Sequence, residues 1–210
     1  MSPFTQEHLK HTCEVLSAAD PALARAYQDI GVPEWRSATP SYQTLARTLV
    51  YQLISTRAAA AIWERLLAFG NGEITPTIIR SATETELREC GLSGPKINFL
   101  NSVADAIETG TLDLASLAHL DDETARKHLL SVKGIGPWTA NVYLMGALHR
   151  MNVFPETDVG LIEAFRVLSN SESRLSPRAF RDHARSWQPY RSMAAHLLWG
   201  HLNWRRARTD

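Results

Sequence analysis

Across 210 residues the chain is 44% hydrophobic and 21% charged, enough apolar chain to bury a core as one domain or as two closely packed lobes. Its 22 basic residues equal its 22 acidic ones, which argues against holding nucleic acid by bulk charge alone, and its two cysteines, Cys13 and Cys90, are far apart in no ligand spacing, so neither a disulfide framework nor a zinc or iron–sulfur site is implied. No stretch approaches the length of a membrane span, and the start Met1-Ser2-Pro3-Phe4-Thr5 has no basic or apolar leader character; no export or anchoring is expected, and a reducing cytoplasm fits.

In chain order, Phe4, Leu9, Cys13 and Leu16 lie on one helical face. Asp20-Pro21 then reads as an N-cap followed by proline at the first helical position, with Gly31 closing a helix over 21–30. Ser41 opens the next helix, whose apolar face runs through Leu45, Leu49 and Leu53 at helical spacing. A further helix over 56–68 carries the alanine run at 58–61 and stops at Gly70. Thr83 and Glu86 have capping-box spacing ahead of Gly91. Gly91-Leu92-Ser93-Gly94-Pro95-Lys96 is a tight turn into a helix that ends near Gly110.

A helix over 122–131 leads to the turn Val132-Lys133-Gly134-Ile135-Gly136, and Pro137 begins the next helix. The two glycines allow the backbone to turn with positive φ, and Ile135 between them serves as an apolar pin. Amides at the start of the second helix, with the positive end of the helix dipole behind them, suit a phosphate. On turn chemistry alone an ordinary helix connection with a C-cap glycine is the favoured account. The loop over 152–157 delivers Asp158, which can cap a helix carrying Leu161, Ile162, Phe165 and Leu168. Ser176-Pro177 opens another helix, and Pro189 precedes the last, which runs to about Arg205. Between 171 and 210 there are eight arginines against three acidic residues, either a basic clamp or a solvated helix face. Helix punctuation recurs throughout and strand alternation does not: the chain is read as all-α, with ten or eleven short helices and no linker long enough to separate domains.

The run Leu130-Ser131-Val132-Lys133-Gly134-Ile135-Gly136-Pro137-Trp138-Thr139-Ala140, followed by Val153-Phe154-Pro155-Glu156-Thr157-Asp158-Val159-Gly160-Leu161, resembles the helix-hairpin-helix, Gly/Pro-rich loop and aspartate signature of base-excision DNA glycosylases. Within them it is most similar to the 3-methyladenine DNA glycosylase II branch. Three more stretches resemble family elements in the family's order: residues 45–60, the turn from Cys90 to Lys96, and Trp187-Gln188-Pro189-Tyr190-Arg191-Ser192-Met193-Ala194. The likeness covers roughly residues 41–204.

The resemblance implies an all-α, two-lobed fold, a single glycosylase domain over 1–210 with the hairpin at about 122–149 and an active-site cleft between lobes. It implies hydrolysis of the N-glycosidic bond of alkylated purines in duplex DNA by base flipping, with Asp158 as the anion that stabilises an oxocarbenium-like sugar. Where relatives that also cut the strand carry a Schiff-base lysine, this chain has Trp138, so a glycosylase without lyase activity is expected. Trp199 and Trp138 match positions of the base pocket, where an aromatic face suits a cationic base; Tyr42, with Trp35 and Tyr51, are further pocket-wall candidates. Lys133, Gly134, Ile135, Gly136 and Thr139 form the expected DNA-backbone hairpin.

The chain departs from the family at Tyr51-Gln52-Leu53-Ile54-Ser55, where Gly-Gln-Gln-(Ile/Leu)-Ser is common; Leu53, Ser55 and Thr56 are candidates for the residue wedged into the gap left by the flipped nucleotide. No cofactor is expected, apart from a structural sodium or potassium ion on the hairpin carbonyls of Leu130, Val132 and Ile135, again by resemblance. The expected partner is double-stranded DNA with alkylated bases, met by a monomer without membrane attachment in the cytoplasm at the nucleoid, or in the nucleus of a eukaryote. The alternative from another class is a non-catalytic helix-hairpin-helix binding module.

Overall fold

The structure, a computed structural model, describes residues 3–208; Met1 and Ser2 of the chain start, and Thr209 and Asp210 of the C-terminal charge balance, lie outside the described residues. Among the described residues there are twelve α-helices: α1 Gln6–Ala19, α2 Pro21–Ile30, α3 Tyr42–Tyr51, α4 Thr56–Phe69, α5 Pro76–Ser81, α6 Glu84–Glu89, α7 Gly94–Glu108, α8 Asp122–Leu130, α9 Pro137–Gly146, α10 Val159–Leu168, α11 Pro177–His183 and α12 Arg191–Arg206. Two single-turn 3-10 helices, Ser116–His119 and Ala184–Trp187, complete the set, and no strand occurs among the described residues. The all-α reading therefore holds, with more helices than the ten or eleven expected. The helix missed outright is α5, although its start is written in the sequence: Thr75 caps it by accepting from the Ile78 amide, and Pro76 takes its first turn.

The chain divides into two compact units, one made of residues 1–37 and 149–210, the other of the contiguous residues 38–148. In the first, α2 packs on α1 and α12, and α10 packs on α12 and α2. Leu9, Cys13 and Leu16 of α1 and Leu23 and Ala26 of α2 are buried, the face expected from their spacing. Asp20 joins both ends of this unit. One carboxylate oxygen accepts from the Ala22 amide at 2.8 Å; the other accepts from Trp187 Nε1 at 2.9 Å and lies 2.6 Å from His183 Nε2. A carboxylate only 4% exposed is tolerated because these partners replace the water it gave up.

In the second unit α3 packs on α4, α7 and α9, α5 lies on α7, and α8 packs on α9. Helix punctuation sits where the sequence places it: Ser41 caps α3, Thr83 and Glu86 form a complete capping box on α6, and Asp121 accepts from the amides of Glu123 and Thr124 at the head of α8. One helical expectation fails in this unit. Leu53 does not continue the α3 face; α3 ends at Tyr51, and Leu53 stands outside it at φ 58°, fully exposed. A leucine in the left-handed region is uncommon, and what holds it there bears on function. Cys13 and Cys90 are both buried and unpaired, and burial pushes the Cys13 thiol up to about 12.

Candidate active site

The loop before α10 determines where Asp158 stands, and it is anchored by the Arg191-Ser192 pair at the head of α12. Arg191 donates from Nε to Asn152 Oδ1 at 2.8 Å and from Nη2 to the Asn152 carbonyl at 2.6 Å. The buried Ser192 hydroxyl accepts from the Val153 amide and sits within donating distance of the Arg150 and Val153 carbonyls, at 2.7 and 2.8 Å; its own amide donates to the Met151 carbonyl. Phe154 is pinned edge-on against Phe180 and Trp187 at 5.0 and 5.3 Å. The tryptophan-to-alanine element noticed in the sequence is thus the clamp of the aspartate loop, and its Trp187 is core, 1% exposed.

Asp158 itself is the N-cap of α10. Its Oδ1 accepts from the Leu161 amide at 2.8 Å, so the capping role read from the sequence is present, and the carboxylate remains partly exposed. A methyl group at Gly160 would lie 3.0 Å from that same Oδ1 and 3.1 Å from Leu202 Cδ2. Gly160 therefore makes room for the carboxylate, a function that sequence reading passed over because a glycine inside a helix start resembles a mere breaker.

Trp199, on the same unit, is half-buried. The Arg36 guanidinium lies over its ring, 5.1 Å from the centroid, and the His196 ring meets it edge-on at 6.0 Å. His196 also stacks on Trp35 at 4.3 Å and 15° and accepts the Arg36 amide at Nε2, 3.2 Å, while Nδ1 is 2.7 Å from the Ser192 carbonyl. This arrangement requires neutral imidazole, and burial first of all, with the Arg36 charge adding to it against the Ser192 bond, lowers the His196 pKa to about 4. Trp35, a lesser pocket-wall candidate, is 3% exposed and belongs to this stack.

A pH dependence follows. Because the folded value lies below the ordinary 6.5, between pH 6.5 and 4 the unfolded chain binds a proton that the folded one refuses, and stability falls as the pH falls. Full protonation of the unfolded His196 is expected to cost about 3 kcal/mol by pH 4. Burial lowers His201 and His149 in the same direction. Urea unfolding followed from pH 7 to pH 4 checks it: His196→Gln should show a shallower loss than the parent, and equal slopes would refute the buried neutral imidazole.

On the other unit, the hairpin between α8 and α9 is closed by the Ile135 amide donating to the Val132 carbonyl at 3.1 Å. Ile135 is 4% exposed, consistent with the pin. The two glycines are not equivalent, contrary to expectation. Gly134 alone has positive φ, +98°, and a Cβ there would fall 2.5 Å from Phe99 Cβ. Gly136 is the extended N-cap of α9 at φ −88°, ψ 174°, and a Cβ there would meet nothing within 4 Å. Its smallness serves something outside the chain or nothing. Arg126 Nε donates to Asn141 Oδ1 at 3.0 Å and ties α8 to α9.

Thr139, expected among the DNA-facing hairpin residues, is fully buried, and its hydroxyl accepts from Gln52 Nε2; its side chain faces inward because Gln52 needs a partner there. Lys133 is exposed and Trp138 half-buried. Tyr42, expected on a pocket wall, is 5% exposed with its hydroxyl donating to the Leu100 carbonyl at 3.0 Å; it ties α3 to α7. Tyr51 carries the Arg47 guanidinium over its ring at 4.7 Å.

The three wedge candidates separate clearly. Ser55 is occupied as the N-cap of α4, accepting from the Ala58 amide, and Thr56 begins the helix. Leu53 is wholly exposed. The turn holding it is fastened on its N-terminal side, by Gln52 to Thr139 and by Lys96 Nζ to the Val50 carbonyl, where a cation also suits the helix end. Lys96 thus gives the second glycine turn its purpose, and burial lowers its pKa. The arginine-rich tail is partly spoken for: Arg174 pairs with Glu163, Arg185 with Asp182, and Arg208 covers Trp204.

Asp158 and Trp199 therefore belong to one unit, and the hairpin, Trp138 and Leu53 to the other. Two concave features of the first unit, one lined by Arg25, Asp29, His201 and Trp204, the other by Asp20, Phe165, His183 and Ser186, contain none of the expected site residues. No described helix is long and apolar enough to cross a membrane.

Residues 46–189 match the family model described as HhH-GPD superfamily base excision DNA repair protein. The Bacillus subtilis protein YfjP is 30% identical over 165 residues, 75% of this chain and 58% of its own length. DNA-3-methyladenine glycosylase 1 of Schizosaccharomyces pombe is 32% identical over 161 residues, 75% of this chain and 71% of its own. The structure of the Schizosaccharomyces pombe 3-methyladenine DNA glycosylase Mag1 in complex with abasic DNA superposes with a TM-score of 0.82 at 28% identity, covering 90% of this chain and 95% of that one. The chain thus spans between 58% and 71% of the length of these two sequence relatives.

Proposed function

Since the chain belongs to the HhH-GPD superfamily of base excision DNA repair proteins, we propose that it is a monofunctional DNA glycosylase, hydrolysing the N-glycosidic bond of alkylated bases of the 3-methyladenine and 7-methylguanine type in duplex DNA. The observation that carries this reading is Asp158, a carboxylate fixed by its bond to Leu161 and by the Arg191-Ser192 clamp, at the family's aspartate position.

Flipping the damaged nucleotide costs a few kcal/mol, less where its pair is already weakened. Leu53, exposed and apolar, fills the vacated step, and the half-buried rim of the hairpin at Gly134 and Gly136 holds a phosphate through backbone amides. An N3- or N7-alkylated purine is cationic and leaves as a neutral base without a general acid. The electron pair of the glycosidic bond goes to the base, the sugar acquires oxocarbenium character, and Asp158 stabilises that charge while water attacks C1′ and loses its proton. Trp199 and Trp138 offer aromatic faces to the base.

Three carbonyls of the hairpin suit a monovalent cation. Those of Leu130 and Ile135 accept no backbone bond among the described residues, and that of Val132 accepts one, leaving oxygen lone pairs of the hard type that sodium or potassium prefers. Such an ion would brace the turn. The protein works as a monomer on DNA in a reducing compartment, cytoplasm or nucleus, with which two unpaired buried thiols accord.

The test is a duplex panel carrying single alkylated bases, with the products resolved. Free base and an intact abasic strand, nicked only after alkali, are expected, and borohydride should trap no protein–DNA adduct, since Trp138 stands at the Schiff-base position. A trapped adduct or an alkali-independent nick would overturn the monofunctional assignment. DNA binding without any base release would leave the non-catalytic module.

A further inference from the structure

The aromatic face at Trp199 already carries a charge. Arg36 lies over the ring at 5.1 Å, and it is not a wandering surface side chain at its root: its amide is bonded to His196 Nε2, and the preceding Trp35 is buried in a stack between Phe4 and His196, at 4.8 and 4.3 Å. The backbone of Arg36 is thus fixed by the same imidazole that packs edge-on against Trp199. The guanidinium remains on the exposed side of the chain.

We propose that Arg36 is a specificity-determining residue that lowers the preference of this enzyme for cationic bases and favours neutral purines with open acceptors at N7 and O6. The inference rests on the glycosylase reading and on Trp199 meeting the base. Two effects act in the same direction. A cationic base seeking the indole face finds a like charge there, which it must displace or endure, whichever face it takes. A neutral purine such as hypoxanthine carries no charge for that guanidinium to repel, and its N7 and O6 are the acceptors to which an arginine donates in paired fashion; N7-methylation removes one of them. The fork geometry matters as well as the charge, so lysine is an incomplete substitute.

Single-turnover excision of 7-methylguanine and of hypoxanthine from otherwise identical duplexes tests this, comparing the parent with Arg36→Gln and Arg36→Lys, each first checked for an unchanged thermal midpoint. Arg36→Gln should raise the ratio of 7-methylguanine to hypoxanthine excision about fivefold, the factor expected for removing one exposed cation–π competitor. Arg36→Lys should raise it less, since the charge is kept and the fork lost. A ratio unchanged within about twofold in Arg36→Gln, or a fall, overturns the role of Arg36 while leaving the glycosylase reading standing. Failure of the parent to release either base would instead defeat the glycosylase reading itself.

Discussion

Asp158→Asn is expected to abolish base excision, by at least about a hundredfold in the single-turnover rate, while the protein stays folded and binds abasic DNA as well as before. The substitution is unusually clean because the two duties of this residue separate. As the N-cap of α10 it needs only an oxygen to accept from the Leu161 amide, and asparagine supplies one, so stability should change by no more than about 1 kcal/mol. As the counter-charge to an oxocarbenium-like sugar it needs its negative charge, which asparagine lacks. Retention of more than about a tenth of the rate would be too small a loss for a group credited with electrostatic stabilisation, and would remove Asp158 from the chemistry. Gly160→Ala offers an independent approach to the same carboxylate, since the new methyl group would press on Oδ1 without altering charge.

The second large effect concerns the hairpin, where the two glycines should fail in different ways. Gly134→Ala places a side chain at φ +98° and within 2.5 Å of Phe99. The left-handed backbone costs about 1–2 kcal/mol and the overlap about 1–3 more, so a loss of roughly 3 kcal/mol in denaturant unfolding is expected, and Phe99→Ala in the same chain should not restore it, because the nearest atom, the Phe99 Cβ, stays in place. A loss below about 1 kcal/mol would mean that the turn is not built this way. Gly136 has an ordinary φ and open space around it, so Gly136→Leu should leave the unfolding midpoint nearly unchanged. If a phosphate approaches the amides there, the same variant should weaken binding to every DNA sequence about equally. A loss confined to one lesion would point to the base pocket.

Much of this was legible in the sequence, for a physical reason. Helix boundaries depend on residues that act locally: Asp20-Pro21, Ser41, the Thr83 and Glu86 box, and Ser176-Pro177 cap helices through contacts within four positions, so spacing alone reveals them. Asp158 was readable because its capping role and its motif place coincide. What escaped was whatever depends on contacts distant in sequence. Nothing near Tyr42 announces that its hydroxyl will reach Leu100, nor does the order of residues reveal that Thr139 turns inward to Gln52. Leu53 continues the apolar spacing of α3, and periodicity does not show where a helix stops when no glycine or proline marks the end. Arg36, a lone arginine in a polar connection, gives no signal in the sequence, because the burial of its neighbour Trp35 is set by distant contacts.

The division of the chain has a consequence for how it is made. Residues 38–148 are contiguous, whereas the unit around Asp158 joins residues 1–37 to residues 149–210. On a ribosome, where domains form as their residues emerge, the hairpin unit has all its parts while α10 and α12 are still untranslated. The apolar faces of α1 and α2, with Leu9, Leu16 and Leu23, must meanwhile wait for α12, on which both helices pack. The Asp158 carboxylate is thus among the last features to be set in place, and a nascent chain acquires its glycine hairpin well before the loop that carries the aspartate.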